Sequence, residues 1–345
     1  MHLTNFRPWT SLNLLAHNVM RYIALLLCGV CLTLISYTTN KAFAAAVQQE
    51  AMPTNAVILL YHHVSTQTPA STSISPSKFK EHMVYLKENH AVVSLQEVVN
   101  ALKNKTPLPD KAVAITFDDG YANILENAHP VLTELGFPYT IFINPGEIGV
   151  GPKQLTWEQV ESMRNEGVSF ANHTMDHLHM LNNMQSMGQK AWLENVWQNV
   201  EEAQKQLDSR LAIGTQYLAY PFGEYNQTLE QQLKKHGYIG FGQHSGAVGP
   251  YSSMQALPRF PAAGPYANLS SLKTKLNSLA MPVKSSSVTD PQLKTRSLDN
   301  PVRLTIESED MRVSQVTCFF GGDPIETSVE DNTVSFKLDA SLPIG

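Results

Sequence analysis

From residue 57 onward the chain alternates short apolar runs with amphipathic stretches, and that alternation predicts a succession of strands and helices. The runs at 57–61, 112–117, 140–143, 168–171, 216–220 and 238–241 have the length of strands, with a weaker one at 257–260. Apolar positions at three- and four-residue spacing predict helices over 76–89, 95–104, 122–135, 156–166, 191–211 and 227–236. Gly136, Gly167 and Gly237 stand where such helices should stop. Each strand runs into a polar or turn-forming cluster: His62-His63, Asp118-Asp119-Gly120, Asn144-Pro145-Gly146, Asn172-His173-Thr174, Pro221-Phe222-Gly223 and Gln243-His244-Ser245. In a parallel β/α fold these strand ends gather on one face although they lie far apart in sequence. The expected fold class is therefore α/β, a distorted (β/α)7 barrel, with an open doubly wound sheet as the alternative.

The two ends of the chain break this pattern. Arg21 precedes an apolar run at 22–37, too short for the roughly 20 residues of a bilayer-spanning helix, and Ala42-Phe43-Ala44 follows it. Residues 1–44 read as a signal peptide and 45–56 as a leader, so the expected location is periplasmic or extracellular, with no stable membrane span after cleavage; an uncleaved signal anchor is the alternative. Past residue 282 the helical period is lost: 283–297 reads as a serine-rich linker, and 302–306, 313–319 and 334–338 read as strands without helices between them. A small β-module over 298–345, expected to be incomplete at Gly345, follows a main domain at 57–282. Signal cleavage would leave Cys318 as the lone cysteine, either a buried thiol or half of a disulfide with a partner outside this sequence.

Composition narrows the classes. With 43% hydrophobic and 16% charged residues the chain can bury one substantial core and a small second unit. A net charge of −5 without a basic run in the main domain excludes a nucleic-acid footprint.

The chemistry concentrates at two strand ends. In Thr116-Phe117-Asp118-Asp119-Gly120 an apolar strand ends in two adjacent carboxylates and a glycine turn. Neighbouring side chains on a strand point opposite ways, so the two aspartates take different roles, one toward a metal and one toward a water; a plain helix-capping turn is the bland alternative. In His173-Thr174-Met175-Asp176-His177 a histidine at a strand end is followed by a second four residues on. Two imidazoles and a carboxylate make a three-ligand face that leaves a divalent ion an open position for water.

These motifs resemble those of the polysaccharide deacetylases with a NodB homology domain, carbohydrate esterase family 4. The resemblance spans residues 57–282 and includes Tyr220-Pro221-Phe222-Gly223 as a third motif. It implies Asp118 as general base, Asp119, His173 and His177 as ligands of one divalent ion, zinc with cobalt or nickel as substitutes, and the Phe222 backbone N–H as an oxyanion donor. It further implies an N-acetylated polysaccharide as substrate and acetate as product. Tyr61-His62-His63 and the signal peptide make the chain similar to the branch acting on poly-β-1,6-N-acetylglucosamine.

Two departures from the family pattern matter. No histidine follows His244, so the usual late Leu-x-His acid is absent; His244 is the candidate acid, with His63 or His62 behind it. Ala219 stands where the third motif carries arginine, and Arg259 is the residue expected to orient Asp118 instead. Phe222, Tyr225, Trp157 and Tyr251 are candidate sugar-stacking aromatics, whereas Trp192 and Trp197 read as helix core. Two competing readings are a metal-independent glycosidase pairing Asp118 with Glu224, and an inactive exported carbohydrate-binding protein whose site has decayed.

Overall fold

Seven parallel strands form the path of the main sheet: β1 (Ala56–Tyr61), β2 (Ala112–Phe117), β3 (Tyr139–Ile143), β4 (Ser169–Asn172), β5 (Tyr217–Ala219), β6 (Ile239–Phe241) and β7 (Phe260–Pro261); a short eighth strand, Ala91–Val92, pairs with β2 off that path. Their order is β7-β1-β2-β3-β4-β5-β6, the sequence order rotated by one strand, as in a barrel cut between β6 and β7. The structure, a computed structural model, describes residues 54–298, 300–307, 311–338 and 341–342; the signal-peptide and most of the leader expectation lie outside them.

Every residue of β1 and β2 is buried, because one side of each strand faces the barrel interior and the other faces helices. The alternation is visible in the packing. Val57, Leu59, Tyr61, Val113, Ile115 and Phe117 join the outer layer with helix residues such as Phe79, Met83 and Leu132. Ala56, Ile58, Ala112 and Ala114 join the interior with Phe142, Ala171, Ala219 and Phe241. The interior sets alanines from β1, β2, β4 and β5 around Phe142 and Phe241, whose ring centroids are 5.2 Å apart, with aliphatic side chains and Tyr217 filling the rest. Small residues on most strands leave room for those rings at native packing density.

Helices α1 (Pro76–Asn89), α2 (Leu95–Asn104), α3 (His129–Leu135), α4 (Trp157–Asn165), α5 (Gln189–Leu211), α6 (Gln227–Lys235) and α7 (Leu269–Leu276) complete the main domain. Helix α2 starts at a reciprocal Ser94/Glu97 capping box and sends Leu95, Val98 and Val99 into the interior cluster. The cut is crossed by one segment: Leu257 bridges to Phe241 of β6, and Phe260 pairs with Leu59 of β1. This crossing requires glycine at 240, where a Cβ would lie 2.0 Å from the Gln255 carbonyl oxygen.

The structure corrects several expectations. The helix expected over 122–135 is split into a π-turn at Ile124–Ala128 and α3, because Pro130 has no N–H to continue an α-ladder. Helix α7, hidden by its serines, was absent from the sequence reading. Residues Val283–Ser286, read as linker, form an edge strand, β8, antiparallel to β9 (Val302–Ile306). The strand expected over 313–319 is a tight turn at Val313–Gln315 followed by β10 (Cys318–Phe320), because Val313 turns in to fill the module core. The module's other strands are β11 (Asp323–Ile325), β12 (Thr327–Glu330) and β13 (Thr333–Phe336); β8-β9-β13-β12 form one sheet and β10-β11 a hairpin, while His63–Val64 and Ser73–Ile74 form a separate two-stranded pair beside the barrel. Cys318 is a partly exposed free thiol among the described residues.

Candidate active site at the barrel mouth

The β2 alternation that puts Ala112 and Ala114 inside the barrel carries on to Thr116 and Asp118, both wholly buried. Arg259 meets Asp118 there with two parallel bonds, Nη1 to Oδ1 and Nη2 to Oδ2, each 2.7 Å. The guanidinium also donates to the Gly242 carbonyl (2.9 Å) through Nε and lies 5.2 Å from the Phe142 ring centroid. Burial, the largest single influence, would raise the Asp118 pKa, but the Arg259 charge and hydrogen bond together with the charges of His173 and His62 outweigh it and hold the carboxyl below the usual range. Asp118 is therefore an ionised carboxylate in a dry setting, fixed by a bidentate clamp.

One residue on, the backbone turns over. Asp119 and Gly120 both take left-handed φ, +72° and +71°, which swings the Asp119 carboxylate out of the strand alternation and toward the mouth. Gly120 tolerates no side chain, since a Cβ would lie 2.9 Å from Ile143 Cγ2.

The histidine loop after β4 is held by its own asparagines. Asn172 Oδ1 accepts from Thr174 N (2.8 Å), while Asn144 Nδ2 donates to the carbonyls of His173 and Thr174. Asn199 of α5 accepts from Met175 N at 2.8 Å. Thr174 and His177 also adopt left-handed backbone, at +68° and +53°. These bonds hold His173 fully buried with Nδ1–H donating to the Ala219 carbonyl (2.8 Å), which leaves the Nε2 lone pair free.

His173 Nε2 and His177 Nε2 each lie 3.3 Å from the same oxygen, Asp119 Oδ1. Both Asp119 Oδ1 and His173 Nε2 are buried without a hydrogen-bond partner. Three acceptor atoms turned on one another repel unless a cation sits among them. Bonds of about 2.0–2.2 Å at tetrahedral angles separate ligand atoms by about 3.3–3.5 Å, so the donor set fits a zinc-like ion.

The other expected residues sort themselves around this centre. His62, which follows β1 beside Asp118, contributes to the field on Asp118, Asp119 and His177. His63 is turned away, stacked 3.6 Å from Tyr121 and bonded by Asn123 Nδ2, and burial holds its pKa down to about 4. His244 sits at the surface beside Tyr225, and the partial desolvation of its ring, followed by the Arg259 charge, lowers its pKa. Trp157 is capped by Arg210, 4.3 Å from its ring, and the Tyr251 hydroxyl bonds Glu307 in the module, so both are engaged locally. Trp192 and Trp197 pack in the core beneath α5.

Sequence reasoning missed a bracing chain at the rim. Phe222 has left-handed backbone (+56°), meets His177 edge-on at 4.4 Å and stacks on His179 at 3.8 Å with 2° between planes. His179 Nδ1 in turn bonds Glu224 Oε1 at 2.8 Å. The residue types were visible, but nothing in the spacing ties 179 to 224. With Glu224 engaged by His179 and Asp118 clamped by Arg259, neither carboxyl is arranged as the protonated acid that a glycosidase pair needs.

The profile of the family described as polysaccharide deacetylase matches residues 105–240. YxkH of Bacillus subtilis (strain 168), whose name places it among the polysaccharide deacetylases, is 32% identical over 209 residues, covering 60% of this chain and 71% of YxkH. The chain belongs to the polysaccharide deacetylase family. As a deacetylase it is similar to the poly-β-1,6-N-acetyl-D-glucosamine N-deacetylase of Staphylococcus aureus (strain MRSA252), at 27% identity over 232 residues, 65% of this chain and 80% of that one. Among solved structures, the Streptococcus pyogenes deacetylase PplD in complex with acetate superimposes with a TM-score of 0.58 at 25% identity, covering 66% of this chain and 100% of PplD. IcaB from Ammonifex degensii shares the fold at a TM-score of 0.57 and 24% identity, over 64% of this chain and 97% of IcaB. This deacetylase thus has the distorted (β/α)7 barrel that its alternating pattern predicts.

Proposed function

We propose that this enzyme hydrolyses the N-acetyl groups of N-acetylglucosamine units in an extracellular polysaccharide, of which poly-β-1,6-N-acetylglucosamine is the leading candidate, and that it does so with one zinc ion. The observation that carries this reading is the Arg259-clamped Asp118 carboxylate set beside three converging acceptors on Asp119, His173 and His177. A divalent ion held by those three would acidify water and polarise the acetamido carbonyl. Asp118, ionised and with its orientation fixed, takes the proton from the attacking water. The Phe222 N–H, in the first turn of its short helix and without an acceptor inside it, stabilises charge developing on the carbonyl oxygen. We assign protonation of the departing amine to His62 in preference to His244, since His62 shares the field of Asp118 and Asp119 while His244 interacts with Arg259.

The mature enzyme acts outside the cytoplasm after removal of 1–44, in keeping with a polymeric substrate. Among the described residues no helix is long and apolar enough to cross a membrane. The test is acetate release from N-acetylglucosamine oligomers by protein reconstituted with zinc, cobalt or nickel. Activity should disappear with a chelator and return with metal, and Asp118→Asn should keep its metal while losing about 10²–10⁴ in rate. Turnover that survives chelation, or reducing sugar released in place of acetate, would defeat the reading.

A further inference from the structure

Beside the segment that crosses from β6 to β7, with Ala256, Pro258 and Phe260 in its lining, lies a cavity of ≈ 610 Å³. One wall carries Tyr225, Glu230 of α6 and His244; the other is the approach to the β-module, with Met281, Val288 and Pro291. The module side is held in place by bonds from Gln227 N to Asp290 Oδ1 (3.2 Å) and from Asn226 Nδ2 to Gln292 Oε1 (2.8 Å). The cavity meets the mouth at two residues. Tyr225 stacks on Tyr220 at 5.0 Å just beyond the Phe222 turn, and the His244 carbonyl accepts from the N–H of Arg259 (3.0 Å). A glycan whose one unit sits at Asp118 can therefore run over Tyr225 into this cavity.

The charge in the cavity has one sign. Glu230 is half-buried, and among the described residues its hydrogen-bond partner is Ser253 Oγ at 3.1 Å. Burial, with the Asp290 charge adding to it, pushes its carboxyl above the usual range against the lowering Ser253 bond. No lysine or arginine lines the cavity, and His244 is driven toward its neutral form. A carboxylate on a concave wall beside an aromatic face lacks one thing, a positive group arriving with its own ring to stack.

We propose that this flank cavity is a binding subsite for an already deacetylated, ammonium-bearing hexosamine unit, with Glu230 pairing the amine and Tyr225 supporting the sugar ring. The inference rests on the deacetylase reading for its source of amino sugar. It makes the enzyme favour chains that it has begun to deacetylate.

The test uses the zinc-loaded full chain and compares a fully deacetylated glucosamine tetramer, its N-acetylated counterpart and spermidine by isothermal titration calorimetry. Glu230→Gln should weaken glucosamine-tetramer binding at least about tenfold, the scale of one lost charge-assisted hydrogen bond. It should leave binding of the N-acetylated tetramer and hydrolysis of a small acetyl ester unchanged. On partly deacetylated polymer it should raise KM with kcat unaltered. Leu279→Trp, which fills the cavity from its 81% exposed rim, should reproduce the loss if the subsite is real. Equal glucosamine binding in wild type and Glu230→Gln overturns the proposal, and spermidine binding as tightly as the tetramer overturns its sugar specificity. Absence of acetate release from wild type would instead strike the deacetylase reading, since the binding comparison does not depend on turnover.

Discussion

The barrel mouth and the C-terminal β-module are built on opposite terms. At the mouth, Asp118, His173, Thr174 and Arg259 are wholly buried polar groups, and Asp119, Thr174, His177 and Phe222 all hold left-handed backbone. In the module, the buried apolar residues among those described are Val302, Ile306, Val313 and Val334, while Phe319 is 64% exposed. Strained backbone and desolvated charge survive at the mouth because seven strands and their helices over-determine it. The module has no such surplus. Function therefore sits where the fold can carry the cost, and substitutions should hurt in that proportion.

The largest effect should come from the ligand set. Asp119→Ala or His173→Ala should reduce bound metal from one per chain to near none by elemental analysis, and should cut acetate release on the order of 10³-fold, several kcal/mol of barrier. Metal retained at full occupancy in either variant would break the comparison.

Next comes the clamp. Arg259→Met leaves the Asp118 carboxylate buried without its partner and should cost about 3–5 kcal/mol in urea unfolding. Arg259→Lys should recover little of this, because an ammonium cannot make both parallel bonds.

A third effect sharpens the contrast through pH. Buried His82 lies between the Tyr61 hydroxyl (3.0 Å) and the Ala267 carbonyl (3.1 Å), and burial lowers its pKa from 6.5 to about 4. A histidine depressed in the folded state binds its proton more readily when unfolded, so the stability it lends is full above 6.5 and drains as pH falls toward 4. The loss over that window is about 3 kcal/mol, and His82→Phe should flatten that part of the stability profile. An unchanged acid slope in the variant would assign the sensitivity elsewhere.

The smallest effects belong to the module. Val334→Ala should cost about 1–2 kcal/mol and Phe319→Ser no more than about 0.5 kcal/mol, with hydrolysis of a small acetyl ester intact in both.

The same contrast governs how much the sequence reveals. Strand β2 and helices α1 and α2 occupy the residue ranges their patterns predict, because burial on defined faces leaves the periodicity little freedom. In the module, with one face wet, composition misleads: the serine-rich run beginning at Ser285 reads as linker although Ser285 and Ser286 pair with β9, and the valine-rich stretch from 313 begins as a turn. At the site, Asp118, Asp119, His173 and His177 stand out because each pair is local in sequence. The Arg259 clamp spans 141 residues, and the His179–Glu224 pair spans 45, so no local pattern can announce either geometry. Asn144 and Asn172, which shape the histidine loop, look like ordinary turn residues until the carbonyls they serve are seen.

The crossing segment at 257–261 has a temporal consequence. All three metal-ligand candidates precede residue 178 in the chain, whereas the guanidinium that aligns Asp118 arrives on the last strand of the ring. During vectorial synthesis every residue that holds the cation-binding triad, Asn199 and Ala219 included, emerges before the guanidinium that orients its base. Competence for hydrolysis thus waits on ring closure, and the strand that shuts the barrel also arms it.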